Sequence, residues 1–114
     1  MDEFVRKSAG LGFPMAILLV TMATTGLTGA AAITASLALL GPGGMLGGVI
    51  FLGMIGLAAD MLSKFGLEAL LVAIYTERKK NGEPAKKLLK EIQKLPISGD
   101  LKRKLQGVLS LRRS

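Results

Sequence analysis

The chain has 114 residues, half of them hydrophobic, with 15 Lys and Arg against 8 Asp and Glu and with no Cys or His. The lack of both Cys and His excludes disulfides and thiol chemistry and argues against a zinc or transition-metal site. The net charge of +7 is unevenly placed: the charges of residues 1–7 cancel, no Asp, Glu, Lys, Arg or His occurs in the 52 residues from Ser8 to Ala59, and the whole excess lies beyond Glu77.

In chain order, residues 1–12 read as a short polar N-terminus. Residues 13–76 read as a transmembrane helical hairpin. Its first helix opens at Pro14, a residue favoured in a first helical turn, and is expected over 14–40. At 1.5 Å per residue that length exceeds the roughly 30 Å hydrocarbon core of a bilayer. A tilt or bend is therefore expected, with Gly26 and Gly29 as the bend points. The turn is Gly41-Pro42-Gly43-Gly44, since Gly closes a helix and Pro cannot continue it. A second helix is expected over 45–76. It has two possible registers, one ending near Lys64, which snorkels, and one reaching Tyr75. A secretory signal does not fit, because its apolar region is about 7–15 residues long. An uncharged turn between apolar helices belongs at the far side of a bilayer or inside an oligomer, because irregular backbone is not tolerated against lipid. Basic residues flank both outer ends and are absent from the turn. A multi-pass membrane location with both termini cytoplasmic follows.

Glycine costs about 1 kcal/mol relative to alanine in a helix, yet small residues let membrane helices approach closely. Gly26, Ala30 and Thr34 fall at i+4 intervals in the first helix. Gly43 with Gly47, and Gly44 with Gly48, form stacked GxxxG pairs, followed by Gly53 and Gly56. These residues either zip the hairpin shut or pack it on sister copies as a homo-oligomer. Asp60, Lys64 and Glu68 stand at i, i+4 and i+8. They read as an interfacial ion ladder, as charges facing a lumen, or, for Asp60, as a proton relay.

Residues 77–114 read as a basic cytoplasmic helical tail. Leu88, Leu89, Ile92 and Leu95 share one face of a first amphipathic helix. Leu101, Leu105, Val108 and Leu109 share one face of a second, which Ser98 or Asp100 can cap. Arg78, Lys79, Lys80, Lys86 and Lys87 are the candidate contacts for membrane lipid or for a protein partner. The absence of aromatics beyond Tyr75 weighs against nucleic acid. No catalytic constellation, phosphate-binding loop or cofactor motif is present, so neither an enzyme nor a cofactor is expected.

The hairpin with both ends on one side, the tiny turn and the basic tail resemble the two-span class of phage holins. The Gly/Ala-rich helix pair with Asp60 in its second helix is similar to the ring-forming proteolipid subunit of rotary ATPases. It departs from that family in having GPGG where a polar loop is used, and Lys64 one turn from the acid. In composition the glycine-rich core resembles small interferon-inducible mitochondrial membrane proteins and the hydrophobic hairpin of pore-forming colicins. The expectation is an all-α membrane protein that oligomerises through glycine-mediated packing and permeabilises the membrane. The alternative is a non-conducting anchor or scaffold whose basic tail recruits a protein partner.

Overall fold

The computed structural model describes residues 2–25 and 44–111, with side-chain surroundings for 2–24 and 56–110. These residues form five helices and no strand: α1 (Asp2–Leu11), α2 (Phe13–Thr25), α3 (Gly44–Lys80), α4 (Ala85–Lys94) and α5 (Gly99–Leu111). The all-helical class expected from the sequence is observed. The expected continuation of the first helix to residue 40, and the turn at 41–43, lie outside the described residues.

The N-terminal segment is itself a helix. Asp2 and Glu3 occupy the first turn of α1, where carboxylates complement the helix dipole. Glu3 pairs with Arg6 and Lys7 one turn on. Phe4, Val5, Ser8 and Ala9 form its buried face. The Ser8 hydroxyl is fully buried and has no hydrogen-bond partner among the described residues. Gly12 then adopts φ +76°, a conformation costly for any residue with a Cβ. Its N–H donates to the Ser8 carbonyl at 3.2 Å. The chain turns 117° between α1 and α2.

Helix α2 begins at Phe13, so Pro14 sits in its first turn as expected. It is apolar on all sides, and the fold accounts for that by burying it from two directions. Met15, Leu18, Leu19 and Met22 meet Phe4 and Val5 of α1 and Ala58, Leu62, Leu70 and Ile74 of α3. Ala16 and Val20 meet Leu71 and Tyr75 of α3 together with the tail. A helix that is hydrophobic all round is a buried helix. At 13 residues, or about 20 Å, α2 falls short of a bilayer core. None of the described helices is long and apolar enough to cross a membrane alone. Only α1 and α2 taken together pass on length and apolarity, and they are sharply bent.

Helix α3 is broken at Gly66, where φ is 85° and ψ is 160°. That region of backbone space is essentially reserved for glycine. The expected unbroken second helix over 45–76 is therefore two helical pieces, the second running on to Lys80. Gly82, at φ +99°, ends it. The Gly82 N–H donates to the Lys79 carbonyl at 3.0 Å and the Glu83 N–H to the Arg78 carbonyl at 3.2 Å. This is the Schellman pattern of helix closure, and Pro84 then admits no helical continuation of the same rod.

The tail helices form where the apolar periodicity places them. Leu88, Ile92, Leu95, Leu105 and Leu109 are buried against one another and against α2 and α3. Ser98 caps α5, accepting the Leu101 N–H at 3.2 Å. Full burial of each such side chain is worth about 1.5–3 kcal/mol. The tail is thus one wall of the core that holds α2, rather than an appendage separate from residues 13–76.

Candidate functional site

The most heavily bonded place in the described structure is Arg78, in the last turn of α3. Its side chain is 2% exposed. The Schellman turn folds Glu83 back over it, and Nε and Nη2 of Arg78 donate to the Glu83 carboxylate, each at 2.8 Å. From α4, Glu91 accepts Nη1 at 2.5 Å and Nη2 at 2.8 Å. Two bidentate forks thus meet on one planar cation, a geometry that lysine cannot reproduce. The guanidinium carbon lies 5.3 Å from the Tyr75 ring centroid, within cation–π range. The Tyr75 hydroxyl donates to Glu91 at 3.3 Å. On the other side, a Cβ at Gly12 would stand 4.0 Å from Nη2. One side chain therefore ties the end of α3 to the following turn and to α4, beside the α1–α2 corner.

Electrostatics follow from this arrangement. Burial alone would pull the Arg78 pKa down, but the carboxylates of Glu83 and Glu91 that accept its N–H groups more than offset this and raise it. The same bond from Arg78, aided by Lys87, outweighs partial burial and lowers the Glu83 carboxyl from 4.5 to about 2. Lys87 reaches Glu83 at 3.1 Å, so two cations and two carboxylates balance.

Arg78 thus stands in the core, not on the surface where the sequence grouped it with lipid or partner contacts. Lys79 is also engaged: its ammonium donates to the Leu109 carbonyl at 2.5 Å, near the end of α5 where carbonyls lack intrahelical donors. Lys80 and Lys86 are exposed and Lys87 projects outward.

The polar stripe is divided by the fold. Asp60 and Lys64 pair at 3.2 Å on the exposed face of α3. Glu68 follows the Gly66 break, so the regular i+8 relation is interrupted. It instead accepts Lys104 of α5 at 2.8 Å, which raises the Lys104 pKa. All three side chains are exposed and none is enclosed within the chain. Of the packing glycines, Gly26 and Gly43 lie outside the described residues, with Ala30 and Thr34. Gly44, Gly47, Gly48 and Gly53 are helical in the first part of α3. Gly56 is exposed, and a Cβ there would meet nothing within 4 Å. Beside it Leu57 is 45% exposed, and Phe65, at the break, 46%.

Sequence reasoning missed Tyr75, Glu83 and Glu91 as partners of Arg78, and Gly66 and Gly12 as backbone breaks. A signal for the first existed. Leu71, Tyr75 and Arg78 follow the i, i+4, i+7 spacing of a buried face, and Glu91 borders the apolar arc of Leu88, Ile92 and Leu95, next to Leu95. Opposite charges across one turn, one within an apolar face and one at the margin of the facing one, predict a buried pair. Comparison with protein-family models, with curated proteins and with solved structures returned no match to this chain.

Proposed function

We propose that the chain is a small membrane protein that self-associates and permeabilises a lipid bilayer, with the folded tail as its cytoplasmic cap. The reading is carried by the uncharged run from Ser8 to Ala59; among the residues whose surroundings are described, the core takes up the end of α1, α2, Ala58 and Ala59. The rest is glycine-rich, and where its surroundings are described it leaves Gly56 open and Leu57 exposed. Packing of that surface on sister copies would bury it and bring the glycine faces together. The holin and colicin resemblances point the same way.

Release of a trapped dye from liposomes by the purified full-length chain tests the reading. Leakage that collapses on Gly47→Leu, with the tail still folded, supports it. Intact vesicles holding normally sized oligomers would overturn permeabilisation and transfer the case to a non-conducting anchor that recruits a protein partner through its lysines. Recovery of the chain as a monomer with no affinity for vesicles would end both.

A further inference from the structure

The tail sorts its cations into two groups. Lys79, Lys87, Lys102, Arg103 and Lys104 each hold an oxygen of the chain. Lys80, at the end of α3, holds none among the described residues, and neither do three lysines of α4, Lys86, Lys90 and Lys94. These three stand at i, i+4 and i+8 on α4 and line one open groove with Pro84, Lys87 and Glu91. Like charges one turn apart destabilise a helix. No carboxylate relieves them here, because Glu83 is taken up by Arg78 and Lys87, and Glu91 by Arg78. The fold thus carries a repulsion from which it draws no internal contact.

The other face of α4 decides what kind of surface this stripe can meet. Leu88 and Ile92 are buried, and so is Leu95 just beyond the helix. A free amphipathic helix binds a bilayer by sinking such residues among the acyl chains. Here they are already used by α2, α3 and α5, so α4 has no apolar face to insert. We propose that Lys86, Lys90 and Lys94 dock the folded tail against the anionic headgroups of a bilayer by charge alone, without insertion. This rests on the membrane reading above and adds the residues, the lipid class and the force. Lipid is favoured over nucleic acid because the sequence beyond Tyr75 has no aromatic side chain to stack a base. Attachment through the uncharged run would also hold the stripe near headgroups at high effective concentration.

The absence of cysteine makes a direct test simple. A fluorophore on Gln93→Cys, at an exposed position of α4, is paired with acceptor-labelled headgroups in vesicles reconstituted with the full-length chain. Energy transfer is expected to rise when phosphatidylglycerol replaces part of the phosphatidylcholine. It should fall again at high salt, where screening is short-ranged. With about 1 kcal/mol per basic residue at such a surface, each lysine is worth about fivefold in the docked-to-detached ratio. Lys86→Gln, Lys90→Gln and Lys94→Gln together should lower it on the order of a hundredfold, with helix content unchanged. Transfer that ignores lipid charge, in a chain that still floats with vesicles, overturns the docking and leaves the membrane reading standing. Failure to float with either lipid removes both. Binding of single-stranded DNA that the three substitutions abolish, without any response to lipid charge, would assign the stripe to nucleic acid and overturn the proposal.

Discussion

The two ends of α3 follow different rules. Between Gly44 and Leu57 the helix carries Gly44, Gly47, Gly48, Gly53 and Gly56 and no charge. Where described, that part shows Gly56 with open space above it and Leu57 exposed. Between Leu67 and Lys80 it has no glycine. It buries Leu70, Leu71, Ile74, Tyr75 and Arg78 in the chain's own core and is pinned from outside by Glu91, Lys104 and Leu109. Ala58 and Leu62 make the transition, and Gly66 breaks the rod between them and the pinned part. The contrast teaches how one helix can serve two environments. The far end completes its packing within the chain, while the near end, where its surroundings are described, leaves Gly56 and Leu57 exposed, the surface that the proposed self-association would cover.

The largest expected effect comes from removing the pin. Arg78→Met leaves Glu83 and Glu91 facing each other without their shared cation. Breaking a buried pair from one side costs about 3–5 kcal/mol. Urea unfolding followed by circular dichroism should show the tail melting at much lower denaturant. Arg78→Lys should recover only part of the loss, since one ammonium cannot fork to two carboxylates. Full recovery by lysine would show that charge alone, without the planar geometry, holds the cap.

Next comes the break itself. A methyl at residue 66 meets nothing within 4 Å, so Gly66→Ala perturbs the backbone conformation and not the packing. Holding an ordinary residue in such a conformation costs about 1–3 kcal/mol. The chain is expected either to lose that stability or to straighten α3. Spin labels on cysteines introduced at Ser63 and Lys80 would register a changed separation in the second case. An unchanged distance together with unchanged stability would mean that the two ends of α3 need no glycine between them.

Acid should weaken the pinned end selectively. The Glu83 carboxyl titrates at about 2 when bonded to Arg78, against an ordinary 4.5. A depressed carboxylate contributes stability that is fully present above its unfolded pKa and is lost as pH falls toward the folded value. The tail should therefore loosen between about pH 4.5 and 2, while pH 5–8 leaves this contribution untouched. Glu83→Gln should flatten that part of the profile, as measured by thermal melts across the range.

The smallest effect has the opposite sign. The Ser8 hydroxyl is buried without a partner among the described residues, and an unbonded buried hydroxyl is a net cost. Ser8→Ala should raise stability by about 1 kcal/mol, visible as a higher melting temperature. Destabilisation would reveal a bond to this hydroxyl when the protein is in its working environment.

Much of the tail was legible in advance. The spacing of Leu88, Ile92, Leu95, Leu105 and Leu109 marks two buried faces, and Pro84, Pro96 and Gly99 punctuate them, because amphipathic periodicity is a local signal. The N-terminal helix was less legible. Residues 1–12 look polar by composition, and the face formed by Phe4, Val5 and Ala9 gains meaning only when α2 and α3 stand opposite it. The continuity of the 45–76 segment was misleading at Gly66, since one glycine amid helix formers is read as tolerated. The Asp60, Lys64 and Glu68 stripe presumed that continuity.

By itself the sequence determined the helical class, the placement of the tail helices, and the location of every charge relative to the uncharged run. These depend on composition and on periodicity over a few turns, which the chain carries locally. Only the tertiary structure decided that most of α2 is buried, that Arg78 is a buried junction and not a surface contact, and which lysines are without a partner among the described residues. Each of those depends on what residues distant in sequence bring to the same place, and no local pattern encodes that meeting.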